Sequence, residues 1–146
     1  MISFTVHANP IAQPRPRAFS TSGRPRIVSA PSRHPVIDFK ASCRLAASVA
    51  YDGPPLDCAV SVRIGFVMPR PKYKIWKTKP MPSEPHDKKP DLDNLAKAVL
   101  DSLNALIWRD DSLISDLFVS KRIAAGDEQP HVSVVIEELV IGNSDL

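Results

Sequence analysis

Fifteen of the 146 residues are proline, and their placement decides which stretches of this chain can be regular. A proline inside a helix removes a backbone hydrogen bond and clashes with the preceding turn. Pro10, Pro14, Pro16 and Pro25 therefore forbid a helix near the N-terminus, and six more prolines interrupt residues 69–90. Residues 36–51 contain neither proline nor glycine. There Ile37, Ala41, Leu45 and Val49 recur every four residues, which predicts an amphipathic helix with those side chains as its apolar face. Asp52-Gly53-Pro54-Pro55 stops it. A second and clearer helix is predicted over 93–107, where Leu95, Val99, Leu103 and Leu106 form one stripe, widened by Ala96, Leu100 and Ile107. Asn94, Lys97 and Asp101 fall on its opposite face.

Alternation with period two marks strands. Residues 2–8 alternate Ile2, Phe4, Val6 and Ala8 against polar neighbours, and 56–68 places Val60, Val62, Ile64 and Phe66 on one face. Strands are also expected at 113–124 and 131–139, joined by a turn at 126–130 and paired as a hairpin. A short extended piece is expected at 26–28, inside a loop rich in proline and arginine. The sum is a single compact α/β (α+β) domain, a mixed β-sheet flanked by two main helices. No apolar run is long enough to span a membrane, and the first residues read as a strand rather than a leader. Cys43 and Cys58, the only cysteines, are expected to be reduced thiols in a cytosolic protein.

The net charge of +3 hides an asymmetry. Residues 1–90 carry 15 Lys and Arg against 5 Asp and Glu, and residues 91–146 carry 4 against 11. A basic front suits a polyanion, and an acidic back concentrates carboxylates. Residues 69–90 should form a mobile basic loop of six prolines and six lysines. Tyr73 and Trp76 are interleaved there, able to stack on bases while lysines hold phosphates; a plain solvated linker is the alternative. Arg15, Arg17, Lys72, Lys74 and Lys89 are the candidate DNA contacts. His86 and Asp87 could be metal ligands, or simply solvated residues of that loop.

The chemistry concentrates in Lys89-Pro90-Asp91-Leu92-Asp93-Asn94-Leu95-Ala96-Lys97. Asp91 or Asp93 alone could be a helix cap favoured by the helix dipole. If the segment entered in extended form, the two carboxylates would point to the same side and repel, unless a hard divalent cation lay between them. Asp110 and Asp111, just past the helix, could add a third ligand or form a solvated turn. Asp101 could assist or simply pair with Lys97. Three carboxylates and a lysine suit phosphodiester hydrolysis: the acids hold Mg²⁺, and Lys97 steadies a phosphate or the attacking water.

This stretch, continued by Asp101-Ser102-Leu103-Asn104 and by Trp108-Arg109-Asp110-Asp111-Ser112, resembles the RusA family of Holliday-junction resolvases. The resemblance extends to the N-terminal strand with its Pro/Arg loop and to the basic loop before the motif. One local departure follows the acidic pair, where Leu113 stands in place of the Gln of many relatives. The resemblance implies that Asp91, Asp93 and Asp111 bind metal and that Lys97 is the required lysine. It implies Mg²⁺ as cofactor with Mn²⁺ able to substitute, four-way junctions as substrate, a homodimer, and a cytoplasmic protein of bacterial or prophage origin. Two other readings remain open: a non-catalytic DNA-binding protein, and a metal-dependent nuclease or phosphatase with no junction preference.

Overall fold

The computed structural model describes residues 1–14, 17–21, 24–28 and 34–140, with 17–21 and 24–28 described by backbone only. Strand β1 is Ile2–Val6, β2 Arg17–Thr21, β3 Arg24–Val28, β4 Val60–Met68, β5 Glu84–Pro85, β6 Ile114–Ile123 and β7 His131–Glu138; helices α1 and α2 are Pro35–Ala50 and Leu92–Leu103. Five strands form a mixed sheet in the order β1-β7-β4-β6-β5, and β2 and β3 pair separately. No helix is long and apolar enough to cross a membrane, among the described residues. Both cysteines are free.

The period-two pattern of β4 explains its central place. Val60, Val62, Ile64, Phe66 and Met68 are all buried, and they meet Val132, Val134 and Ile136 of β7 across an antiparallel register. On its other side β4 pairs with β6 in parallel. The expected hairpin between the last two strands is therefore corrected: β4 lies between them. A hairpin needs a short turn, whereas residues 124–130 are long enough to step over the end of β4. Ala124 donates its N–H to the Met68 carbonyl at 2.9 Å as that crossing begins. The Glu128 carboxylate braces the crossing with two 2.6 Å bonds from Arg122. These bonds hold the Glu128 carboxyl down at about 2. The N-terminal basic segment, expected to hold one short extended piece, contains the β2–β3 pair.

The helices cover one face of the sheet. His34 caps α1, its Nδ1 accepting from the Val36 N–H at 3.1 Å. The helix buries Val36, Phe39, Cys43 and Ala47, not the stripe expected from the sequence. Ile37, Leu45 and Val49 are exposed at 45%, 67% and 82%. Two adjacent stripes of α1 are both apolar, and small Cys43 and Ala47 admit the closer approach to the rest of the core. Burial pushes the Cys43 thiol up to about 12. Arg44 ties the helices together by donating to the Ser102 carbonyl at 2.9 Å.

Three of the four residues of the expected stripe, Leu95, Val99 and Leu103, are fully buried on α2; Leu106 lies past its end and is only partly buried, and Ile107 is fully buried instead. The helix itself stops at Leu103, four residues before the expected end. Ala105 takes a positive φ of 65°, which turns the chain so that its N–H reaches the Trp108 carbonyl at 2.8 Å. That conformation costs an L-residue about 1–2 kcal/mol. Ala105→Gly should thus stabilise the protein by about 0.5–1 kcal/mol, after the extra chain entropy of glycine. Urea unfolding with unchanged slope checks this, and a loss of stability would refute the strain.

Candidate active site

The register of β6 against β4 decides which of its side chains face α2. Leu117, Val119, Lys121 and Ile123 align with Val62, Ile64, Phe66 and Met68, so they share the helix-covered face. The two-residue β5 pairs only with the far end of β6, at Arg122 and Ile123. The first half of β6 is therefore left as one wall of a cleft of about 480 Å³ against α2. Leu100, Leu117 and Val119 make it apolar at the base, while Asp93, Lys97, Asp101 and Asp111 bring charge to it.

Each of these groups is placed by a separate device. Asp93 lies in the first turn of α2, where a carboxylate suits the helix dipole. Lys97 follows one turn on, and its Nζ lies 3.1 Å from Asp101 Oδ2. The Lys97–Asp101 pair read from the sequence is thus present. Asp111 hangs from the core: the fully buried Trp108 donates its indole N–H to Asp111 Oδ1 at 2.8 Å. Among the described residues Asp111 Oδ2 has no partner. Asp110 does something different. Its carboxylate accepts from the Ser112 N–H at 3.0 Å and caps the short helical turn Asp111–Leu113. The bonds from Ser112 hold the Asp110 carboxyl below its ordinary value.

Asp91 stands apart from this group. It is the N-cap of α2, its side chain makes no capping hydrogen bond, and Lys89 Nζ lies 3.8 Å from its Oδ1. Because helical turning begins at Leu92, Asp91 and Asp93 do not follow the extended geometry; Asp91 lines a neighbouring cleft of about 620 Å³ with Lys89, Gln13 and His34. The structure thus brings Asp93, Lys97, Asp101 and Asp111 to one cleft and Asp91 to the adjoining side of the helix entrance. Among the described residues no three His, Cys, Asp or Glu side chains are grouped closely enough to hold an ion between them. The donor chemistry nevertheless fits Mg²⁺, which prefers oxygen and is commonly held by one or two carboxylates, several waters and substrate phosphates.

The basic candidates surround this region unevenly. Gln13 donates its N–H to the Asn94 carbonyl at 2.9 Å, which ties the N-terminal loop to the start of α2. Arg15 lies outside the described residues, and Arg17 begins β2 with its side chain outside them. Lys72 is exposed in a helical turn, Lys72–Lys74, whereas Lys74 Nζ pairs with Glu84 at 3.0 Å. Residues 69–90 are tied to the sheet edge through Arg70, which donates to the Lys74, Pro82 and Ala124 carbonyls. His86 lines a different cleft, with Lys74 and Glu84. Its proton affinity is lowered, chiefly by burial.

Two side-chain contacts beside the candidate site were not read from the sequence, those of Trp108 with Asp111 and of Lys121 with the chain before Asp91. Trp108 reads as one more core aromatic, though an indole N–H needs a partner when buried, and an acidic pair follows it. Lys121 occupies an inward position of an alternating strand, a phase where a charge demands explanation.

Residues 7–137 match the family model described as Endodeoxyribonuclease RusA. The chain is also similar to a Bacillus subtilis (strain 168) protein named Uncharacterized protein YqaN, 36% identical over 146 residues, covering 94% of this chain and 96% of the relative.

Replacing Trp108 by Phe keeps the aromatic bulk and removes the donor to Asp111. Supporting groups of this kind are worth about 10–100-fold in metal affinity, so Trp108→Phe should weaken Mn²⁺ binding by that amount in calorimetric titration. A folded variant with unchanged Mn²⁺ affinity would refute the orienting role.

Proposed function

Because the chain belongs to the RusA endodeoxyribonuclease family, we propose that it is a divalent-metal-dependent endonuclease that resolves four-way DNA junctions by paired phosphodiester hydrolysis. The observation that supports this most is the cleft in which Asp93, Lys97 and Asp111 converge beside α2. Asp93 and Asp111, which line that cleft, would hold the ion, and Asp91, which lines the neighbouring cleft at the helix entrance, would join them as a third ligand only by turning towards it. When bound there, Mg²⁺ or Mn²⁺ would supply Lewis-acid charge neutralisation and lower the pKa of the attacking water.

The remaining work falls to side chains. Lys97 is 60% exposed, so its ammonium can reach a phosphate oxygen and offset the charge that develops there. Asp101 keeps that ammonium at the cleft in the absence of DNA. Trp108 holds one oxygen of Asp111 and presents the other. Lys89, with a side chain 90% exposed, together with Lys72, Arg15 and Arg17, supplies positive charge for the DNA backbone. Lys74 contributes less, since Glu84 offsets it. Symmetric incision of a four-way junction needs two active sites, which a two-fold homodimer provides. Hydrolysis that leaves 5′-phosphates and 3′-hydroxyls yields nicks that a ligase can seal, as recombination and repair require.

The test compares a four-way junction with a linear duplex of the same sequence, in Mg²⁺ and in EDTA, for the wild type and Asp93→Asn. The wild type should nick the junction in opposed strands only with Mg²⁺, and Asp93→Asn should lose at least about 100-fold in rate. Equal cleavage by both proteins would remove Asp93 from the mechanism. Equal cleavage of junction and duplex would remove the junction preference.

A further inference from the structure

We propose that Lys121 is a positioning residue for the acidic site, clamping the chain on both sides of Lys89 and so fixing where Asp91 meets α2; this rests on the reading of that site as catalytic. Lys121 belongs to the helix-facing row of β6, between Val119 and Ile123 and level with Phe66 of β4. Lys121 is half-buried, so its stem lies in this row while its ammonium reaches the chain that precedes α2. Its Nζ donates to the Lys88 carbonyl at 2.6 Å and to the Pro90 carbonyl at 2.8 Å. The Pro90 carbonyl belongs to the peptide unit whose nitrogen is that of Asp91.

Residues 86–91 belong to no strand or helix, and Pro85 and Pro90 have no N–H to donate. The Asp91 carbonyl accepts from the Leu95 N–H at 3.1 Å, which joins its backbone to α2, while its side chain makes no cap bond. The exposed Lys89, whose ammonium approaches Asp91 at 3.8 Å, does not anchor the backbone. Lys121 reaches this segment from a strand whose position is set by nine registered pairs with β4. The sheet therefore dictates the place of Asp91, just as the core dictates that of Asp111 through Trp108. A lysine suits this role: its flexible apolar stem crosses the core-facing row, and its three donors can serve two carbonyls at once.

A purely structural lysine would affect stability alone. A positioning lysine also affects metal affinity and turnover in molecules that remain folded. The experiment uses the full chain as wild type, Lys121→Met, Lys121→Gln and Lys121→Arg. Mn²⁺ affinity is measured by calorimetry without DNA, junction binding in EDTA, and single-turnover cleavage in Mn²⁺. Amide exchange is followed across residues 86–92.

Lys121→Met should lose about 10–100-fold in Mn²⁺ affinity and in cleavage rate, with junction binding unchanged and faster exchange around Asp91. Lys121→Arg, which keeps the charge and the donors, should recover most of the loss. Wild-type Mn²⁺ affinity, rate and exchange in Lys121→Met would overturn the proposal. If Lys121→Met does not fold, Lys121→Gln carries the test, a partial loss supporting the clamp and wild-type values overturning it. A wild type that neither binds Mn²⁺ nor cuts the junction overturns the functional reading instead, and the exchange comparison then still judges the clamp.

Discussion

The docking of α2 on the inner face of the sheet governs the geometry of everything around it. Leu95, Val99 and Leu103 are fully buried, and burying such side chains is worth about 1.5–3 kcal/mol each. That stripe fixes the rotation of the helix about its axis, and with it the direction of the opposite face. Asp93, Lys97 and Asp101 point to the cleft because three apolar side chains leave them no other orientation. The end of α2 is equally consequential. Leu103 accepts from Leu106 and Ile107, Ala105 reverses the chain, and Trp108 drops into the core.

Trp108 then joins stability to chemistry. Its ring fills the interior while its N–H holds Asp111 at the surface. Lys121 makes a corresponding connection from β6 to the segment before Asp91. The acidic residues come from three places: a cap, a first helical turn and a short turn after the helix. Each is attached to rigid structure by a different contact. Carboxylates held in this dispersed way repel one another less than a tight cluster would.

How much of this was legible in the sequence depended on whether the decisive contact was local. The alternation in β4 and β7 is strong; β7 lies within one residue of its expected bounds, and β4 ends where expected but begins at Val60, four residues after the expected start. The polar and apolar faces of α2 differ sharply, so its stripe was readable. In α1, Ile37-Ala41-Leu45-Val49 and Val36-Phe39-Cys43-Ala47 are two plausible stripes, and only the surface that receives the helix chooses between them. Insertion of β4 between β6 and β7 is a pairing across the whole chain, which turn length and periodicity do not encode. Asp91, Asp93, Lys97 and Asp111 are the candidates that spacing and family resemblance single out. The division of Asp91 from the others, the capping role of Asp110 and the attachments through Trp108 and Lys121 follow from three-dimensional packing.

The central claim is that the cleft between α2 and β6 is where a divalent cation and a DNA phosphate meet. Anomalous diffraction from crystals of the protein grown with Mn²⁺ tests it most directly. The account predicts a manganese peak in the cleft bearing Asp93 and Asp111, and its loss in Asp111→Asn. Manganese bound at saturating concentration only elsewhere on the molecule would contradict it.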